Sequence, residues 1–328
     1  MKRREFIGLV GGAIVACPLA THAQQHGMKR VALVIPALQG EQEYQVRLTA
    51  FLESLGRLGW SDGRNVRLDV RWVGTDPTRY KSVAMDVTSG SAPDLIVAQA
   101  NPLVAQFQLQ TKTIPIVFIA VSDPIAGGFV SNLARPGGNL TGFENFQPEI
   151  AGKWLQTLKE VAPTIARVGI LLHPETAAHA AFRRVIEATA STFPMKIVPM
   201  GIHDGVEIER SLVALVEQPD SGLIVLPHPI LTQNRDLIIV LAARHRLPAI
   251  YPFRYFATNG GLISYGINPI EQWRGAADYV DRILKGEKPG DLPVQALNKY
   301  ELVINLRTAK AIGVNVPASM LARADVIE

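Results

Sequence analysis

The sequence predicts an α/β protein: two doubly wound parallel-sheet lobes joined by three crossing strands. Three observations predict it. Short apolar runs alternate with stretches of helical period, as in right-handed βαβ units. That alternation runs twice, and the Gly/Pro-rich stretch LARPGGNLTGF, Leu133 to Phe143, separates the two rounds. After Gly260 the rhythm breaks into a strand and a helix, then another strand and a short helix, which suits a chain that revisits each half in turn. With 328 residues, 48% of them hydrophobic, there is apolar material for two cores of ordinary domain size.

KRVALVIPAL opens with the apolar run Val31 to Ile35, ended by Pro36, a buried strand of parallel type. Glu41 to Leu58 has helical period, with an expected apolar stripe of Val46, Phe51, Leu52, Leu55 and Leu58 before Gly59 stops it. NVRLDVRWV alternates apolar and polar residues, as a strand with one wetter face does. DPTRYKSVAMDVTSG reads as a helix capped by Asp76, with Pro77 at its first position. PDLIVAQA, NPLVAQFQLQTK and IPIVFIAV add a strand, a helix and a strand. In the second round, helices EIAGKWLQTLKEVAP, AAHAAFRRVIEATAST, GVEIERSLVALVEQ and QNRDLIIVLAARHR alternate with strands ARVGILLH, MKIVPM, SGLIVLP and LPAIYPF. Strand GGLISYG, helix PIEQWRGAADYVDRILKGE and the segment KYELVINLRTAKAIG follow. Crossings between the halves are expected near Leu140–Phe143, Ser264–Asn268 and Leu292–Leu297.

The N-terminus reads MKRREFIGLVGGAIVACPLATHAQQ. Lys2, Arg3 and Arg4 precede an apolar, Gly/Ala-rich run from Phe6 to Ala16, and Thr21–Ala23 offers small residues for cleavage. This is the pattern of an export signal over residues 1–23, too short to span a bilayer, and Arg3-Arg4 before Glu5-Phe6-Ile7 matches a twin-arginine motif. A periplasmic protein is therefore expected. Cys17 is the sole cysteine, so an intramolecular disulfide is excluded. It is a poor lipoprotein site, because Pro18 follows it and no Leu stands three residues before it. The formal net charge of +4 is spread among acids, which argues against a nucleic-acid partner.

Several chemistries are missing. No Walker motif and no G-x-G-x-x-G follows a predicted strand, so no nucleotide cofactor is expected. LISYG, around Ser264, lacks the first Gly and the strand–elbow–helix setting of a serine nucleophile. The histidines show no metal spacing. His179 and His245 lie on predicted helices and are expected at the surface. His173 and His228 differ, since each follows a predicted strand, where α/β proteins bind ligands. Neither a metal, a cofactor nor a catalytic group is expected.

Four long runs resemble the ABC transporter substrate-binding protein family, in the branch that handles tryptophan and tyrosine: IPIVFIAVSDPIAGGFVSNLARPGGNLTGF, LAARHRLPAIYPFRYFATNGGLISYG, AADYVDRILKGEKPGDLPVQ and KYELVINLRTAKAIGVNVPASMLARADVIE. The resemblance covers essentially the whole chain after the export signal. It implies a type I periplasmic binding fold, with one small molecule enclosed between two lobes. Lobe 1 is then expected to hold residues 27–142 and 267–295, and lobe 2 residues 143–266 and 296–328. ARPGGNLTGF looks like the approach to the first hinge, with Gly137 and Gly138 free to adopt unusual backbone angles. The implied partners are a small-molecule ligand and an inner-membrane ABC permease, the protein itself being a monomer. A soluble sensor feeding a chemoreceptor or kinase is the alternative, and a secreted hydrolase the third reading.

Strand ends nominate the cleft residues. In lobe 1 these are Pro36, Gln39, Tyr44, Asn101, Pro102, Ser122 and Asp123. In lobe 2 they are His173, Pro227, His228 and Tyr251, with Tyr265 at a crossing. Tyr44, Tyr251 and Tyr265 are candidates to sandwich a flat ligand, and Arg254 to clamp a carboxylate. Relatives carry a small hydroxyl where this chain has Asn101, which puts that contact in doubt. Asp123 is a partner for an amino group or a cap for the turn SDP.

Overall fold

The computed structural model describes residues 27–328. The export signal, the twin-arginine motif and Cys17 lie outside the described residues.

The first round forms β1 (Lys29–Ile35), α1 (Gln42–Arg57), β2 (Val66–Trp72), α2 (Pro77–Thr88), β3 (Leu95–Gln99), α3 (Asn101–Gln110), β4 (Ile116–Val121) and β5 (Leu140–Glu144). The second forms α4 (Ile150–Val161), β6 (Arg167–Leu172), α5 (Ala177–Ala190), β7 (Lys196–Gly201), α6 (Gly205–Val216), β8 (Ser221–Val225), α7 (Pro229–Gln233), α8 (Arg235–Arg244) and β9 (Ala249–Tyr251). Then come α9 (Arg254–Thr258), β10 (Ile263–Gly266), α10 (Pro269–Leu284), β11 (Gln295–Ala296), β12 (Glu301–Asn305), α11 (Leu306–Ile312), α12 (Ala318–Leu321) and β13 (Asp325–Ile327). The expected helix QNRDLIIVLAARHR forms from Arg235 to Arg244 as α8, while Gln233 ends the short helix α7, whose C-cap is Asn234.

Two sheets result. One has six strands in the order β11-β5-β4-β3-β1-β2; the other has seven, β13-β12-β10-β9-β8-β6-β7. Both contain the same doubly wound order, with a switch point between β1 and β3 in the first and between β6 and β8 in the second. Among the described residues all strand pairs are parallel except β10 with β12. Each inner strand is buried on both faces. On β1, Val31, Leu33 and Ile35 pack under α1 and α10, while Ala32 and Val34 face α2 and α3. A second, larger core surrounds the other sheet.

The α1 stripe is not the expected one. Val46, Leu52 and Leu58 are exposed; Tyr44, Arg47, Phe51, Ser54 and Leu55 are buried. Helix α10 lies against α1, with Trp273 edge-on to Phe51. That contact rotates the buried face away from Val46 and toward Arg47.

The crossings also shift. Glu144 still pairs with Val121 and with Ala296, so Phe143 belongs to the first sheet and the chain leaves it only after Glu144, not after Gly142. Ile267 packs into the second core, and Ala296 into the first sheet, each one residue past the expected boundary. Gly137 and Gly138 lie in the loop before β5, away from the crossing itself. There Gly137 N–H donates to the Gly290 carbonyl at 3.1 Å. Two other glycines are obligatory at the joins. A Cβ on Gly142 would stand 2.0 Å from the Phe118 carbonyl oxygen, and one on Gly266 1.8 Å from that of Pro252.

Candidate functional site

The cavity between the lobes sits where the strands of both sheets end. Lobe 1 supplies Tyr44 and Arg47 from the first turns of α1, and Gln99, Ala100 and Asn101 from the junction of β3 and α3. Lobe 2 faces them with Pro227 and His228 after β8, Thr232 of α7 and Tyr255 of α9. The cavity measures about 30 Å³, room for roughly one or two water molecules. The lobes touch around it. Arg235 of α8 reaches Glu41 and Glu43 at 3.5 Å each, and Gln233 meets Thr75.

Arg47 dominates this cavity. It is 5% exposed, and among the described residues no carboxylate lies within salt-bridge distance of it. Its guanidinium lies 4.6 Å from the Tyr44 ring centroid and 5.2 Å from that of Tyr255, one ring from each lobe. Ring faces attract a cation but do not replace a counter-ion. A buried cation left unpaired is costly, and an incoming anion relieves that cost. Gln99 adds a side-chain oxygen with no hydrogen-bond partner. His228 adds an unpartnered Nε2, while its Nδ1 accepts from the Ile230 N–H at 3.3 Å. An accepting Nδ1 leaves the proton of a neutral ring on Nε2, which is then an unengaged donor. Burial first, then the neighbouring His179 and His173, hold His228 well below the usual histidine range, so the ring is neutral at pH 7.

His179 positions both histidine loops. It is buried rather than exposed as expected. Its Nδ1 accepts from the His173 N–H at 2.8 Å, and its Nε2 lies 3.2 Å from the Pro227 carbonyl, to which it donates. One imidazole thus ties the loop after β6 to the loop after β8. Burial pushes it down to about 4, which keeps it neutral and fixes this tautomer.

Of the residues nominated from sequence, Tyr44, Asn101, Pro102, Pro227 and His228 line this cavity, and His173 lines an adjoining one. Asn101 lines the cavity with its side-chain amide already engaged. Its amide exchanges two hydrogen bonds with Ser122, accepting from N–H at 2.9 Å and donating to C=O at 2.7 Å. Ser122 in turn donates to Asn145 at 2.7 Å and stays buried behind the wall. Asp123 caps its own turn, accepting from the Ala126 N–H at 3.0 Å. Pro36 and Gln39 fall outside the lining, on the loop that leads into α1. Tyr251 is stacked on Phe256 in the second core, and Tyr265 leans on Tyr300. Neither sandwiches anything in the cleft. Arg254 is exposed and paired with Asp325 at 2.6 Å.

Sequence reasoning missed Arg47, Gln99, Asn145, Thr232, Tyr255 and Trp273. Only Arg47 carried a usable signal. It follows Tyr44 by one helical turn, so a charge shares a face with a nominated residue.

Among the described residues, no cluster of three His, Cys, Asp or Glu side chains has metal-holding geometry. No helix there is long and apolar enough to cross a membrane.

A family model described as ABC transporter substrate binding protein matches residues 34–327. A tyrosine-binding protein of Clostridioides difficile (strain R20291) is 26% identical over 262 residues, 80% of this chain and 75% of that one. The crystal structure of a conserved domain protein from Vibrio cholerae superposes with a TM-score of 0.85 at 26% identity, covering 92% of this chain and all of that one. An ABC domain from Streptococcus pneumonia in complex with L-Trp gives 0.84 at 20% identity, covering 92% and 100%; at that identity the likeness concerns the fold.

Proposed function

This chain belongs to the ABC transporter substrate binding protein family, and on that premise we propose that it is the periplasmic solute-binding component of an importer, selective for a small carboxylate. The observation that carries this reading is Arg47: a buried cation without a counter-ion among the described residues, held between a tyrosine of each lobe. A carboxylate accepted by its guanidinium would be gripped by charge-assisted, bidentate hydrogen bonds. The flanking rings favour a flat or aromatic body beside that head. The relatives named above, one tyrosine-binding and one holding L-Trp, support this class of ligand.

Binding and closure are one event in this reading. Ligand that touches Arg47 on one lobe and His228 or Tyr255 on the other favours the arrangement in which the lobes meet. Shifting such an equilibrium from 1:99 to 99:1 requires about 5.5 kcal/mol of preference for the closed form. The Arg235 pairs with Glu41 and Glu43 contribute to the same closed arrangement. The closed form is then delivered to an inner-membrane permease.

A thermal-shift screen of the mature chain against carboxylates tests the reading. A true ligand at 100 times its Kd adds about 2.7 kcal/mol of stability. Protection by neutral sugars or by amines, with none by any carboxylate, would sink it.

A further inference from the structure

A second interlobe chamber adjoins the first. It measures about 450 Å³, within the range of ligand sites, and shares Asn101, Pro102, Thr176 and His228 with the small cavity. Lobe 1 lines it with Tyr80, Gln106 and Phe129, and lobe 2 with His173, His228 and Ile230. Three of the residues that line it carry a buried side-chain atom with no hydrogen-bond partner among the described residues: Tyr80 Oη, His173 Nδ1 and His228 Nε2. Glu175 comes within 3.1 Å of His173 Nδ1 without the alignment of a hydrogen bond. Buried polar groups are nearly always paired, so three orphans around one chamber point to a ligand.

The chemistry of that ligand end can be read from its surroundings. The charged groups at the rim are already engaged with one another. His203 lies 3.0 Å from both Glu175 and Glu207. Among the described residues no charged side chain of the lining is left unengaged, so a second anionic or a cationic group would go unmatched there. The orphans are a phenol and two imidazoles, and Phe129, Ala105, Pro77 and Ile230 complete the wall. Such a lining suits an apolar body ending in an oxygen that accepts or donates a hydrogen bond.

We propose that this chamber is the distal half of the ligand site, taking the hydroxyl- or carbonyl-bearing end of an elongated carboxylate whose head lies at Arg47. The proposal rests on the reading of Arg47 given above. It makes the ligand longer than the small cavity admits, with His228 at the waist between its two ends.

Titration calorimetry on the mature chain with two matched pairs tests it: 4-hydroxycinnamate against cinnamate, and 3-(4-hydroxyphenyl)propionate against 3-phenylpropionate. The hydroxylated member of at least one pair is expected to bind tenfold or more tightly. Tyr80→Phe and His173→Gln are each expected to cut that ratio below threefold. Equal affinities within both pairs, or a ratio that neither substitution moves, would overturn the distal site. If those equal affinities still collapse in Arg47→Met, the Arg47 reading stands alone. If Arg47→Met weakens none of them, that reading fails. No binding by any of the four compounds counts against both.

Discussion

The two lobes share a strand order and differ in what they bring to the cleft. In lobe 1 the switch point between β1 and β3 is served by a helix: α1 projects Tyr44 and a bare cation, Arg47. In lobe 2 the switch point between β6 and β8 is served by loops that carry His173 and His228, neutral by burial and tied together by His179. One half offers charge and the other offers uncharged donors. On the proposed function, the scaffold fixes where a ligand sits, and a single helical turn and two loops decide what it is. Recognition of the carboxylate head should depend on lobe 1 and acid resistance on lobe 2.

Replacing Arg47 by Met is the sharpest way to break that contrast. Carboxylate affinity should fall by about 1000-fold, roughly 4 kcal/mol, as a charge-assisted bidentate contact is lost. Stability of the free protein should hold or rise, because an uncompensated buried charge is removed. Calorimetry with a urea titration checks both halves, and a destabilised variant with unchanged affinity would reverse the assignment.

His179→Ala should act on the other lobe. Loss of a buried ring, with the His173 N–H and the Pro227 carbonyl left unpaired, should cost about 2–3 kcal/mol at pH 7. The pH profile carries a sign. A folded value near 4 against an ordinary 6.5 means the unfolded chain binds the proton more readily. The contribution of His179 is thus fully present above pH 6.5 and drains away as pH falls toward 4, by about 3 kcal/mol in all. Denaturant melts from pH 8 to pH 4 should show that decline in the parent and a flatter profile in the variant.

Arg235→Ala probes the contact between the lobes. Losing the pairs with Glu41 and Glu43 should weaken ligand binding about tenfold by favouring the open form. Solution scattering should show a larger radius of gyration in the free variant, and no expansion would remove Arg235 from closure.

Glu144 sits at the first crossing, and burial pushes its carboxyl up to about 7. A raised carboxyl value favours the folded state at low pH, so this contribution is complete below 4.5 and is lost as pH rises through 7. Glu144→Gln should therefore stabilise the protein by about 1–2 kcal/mol at pH 8 and by nothing at pH 4. An equal gain at both values would assign the effect to packing. Smallest of all, Arg254→Ala should change binding and stability by less than about 0.5 kcal/mol, since its ion pairs are on the surface.

Much of this architecture was legible in the chain. Alternating apolar runs gave both sheets, and Asp76 and Pro77 cap and open α2 as read. The principal departures, apart from the short tail elements, came where distant residues intervene. Trp273 of α10 turned the face of α1, and the backbone of Ser122 consumed the amide of Asn101. His179 looked like a helix-surface residue because its two partners are loops far along the sequence.

By itself, the sequence determined the two rounds of strand and helix and the placing of Asn101, Pro102, His173 and His228 at strand ends. Those follow from side-chain periods of 2 and 3.6, which are local properties of the backbone. Only the tertiary structure decided that, among the described residues, Arg47 has no counter-ion while Arg254 has two, and that Tyr255 rather than Tyr251 faces the cleft. Pairing and burial depend on groups brought together from remote parts of the chain, and no local period encodes them.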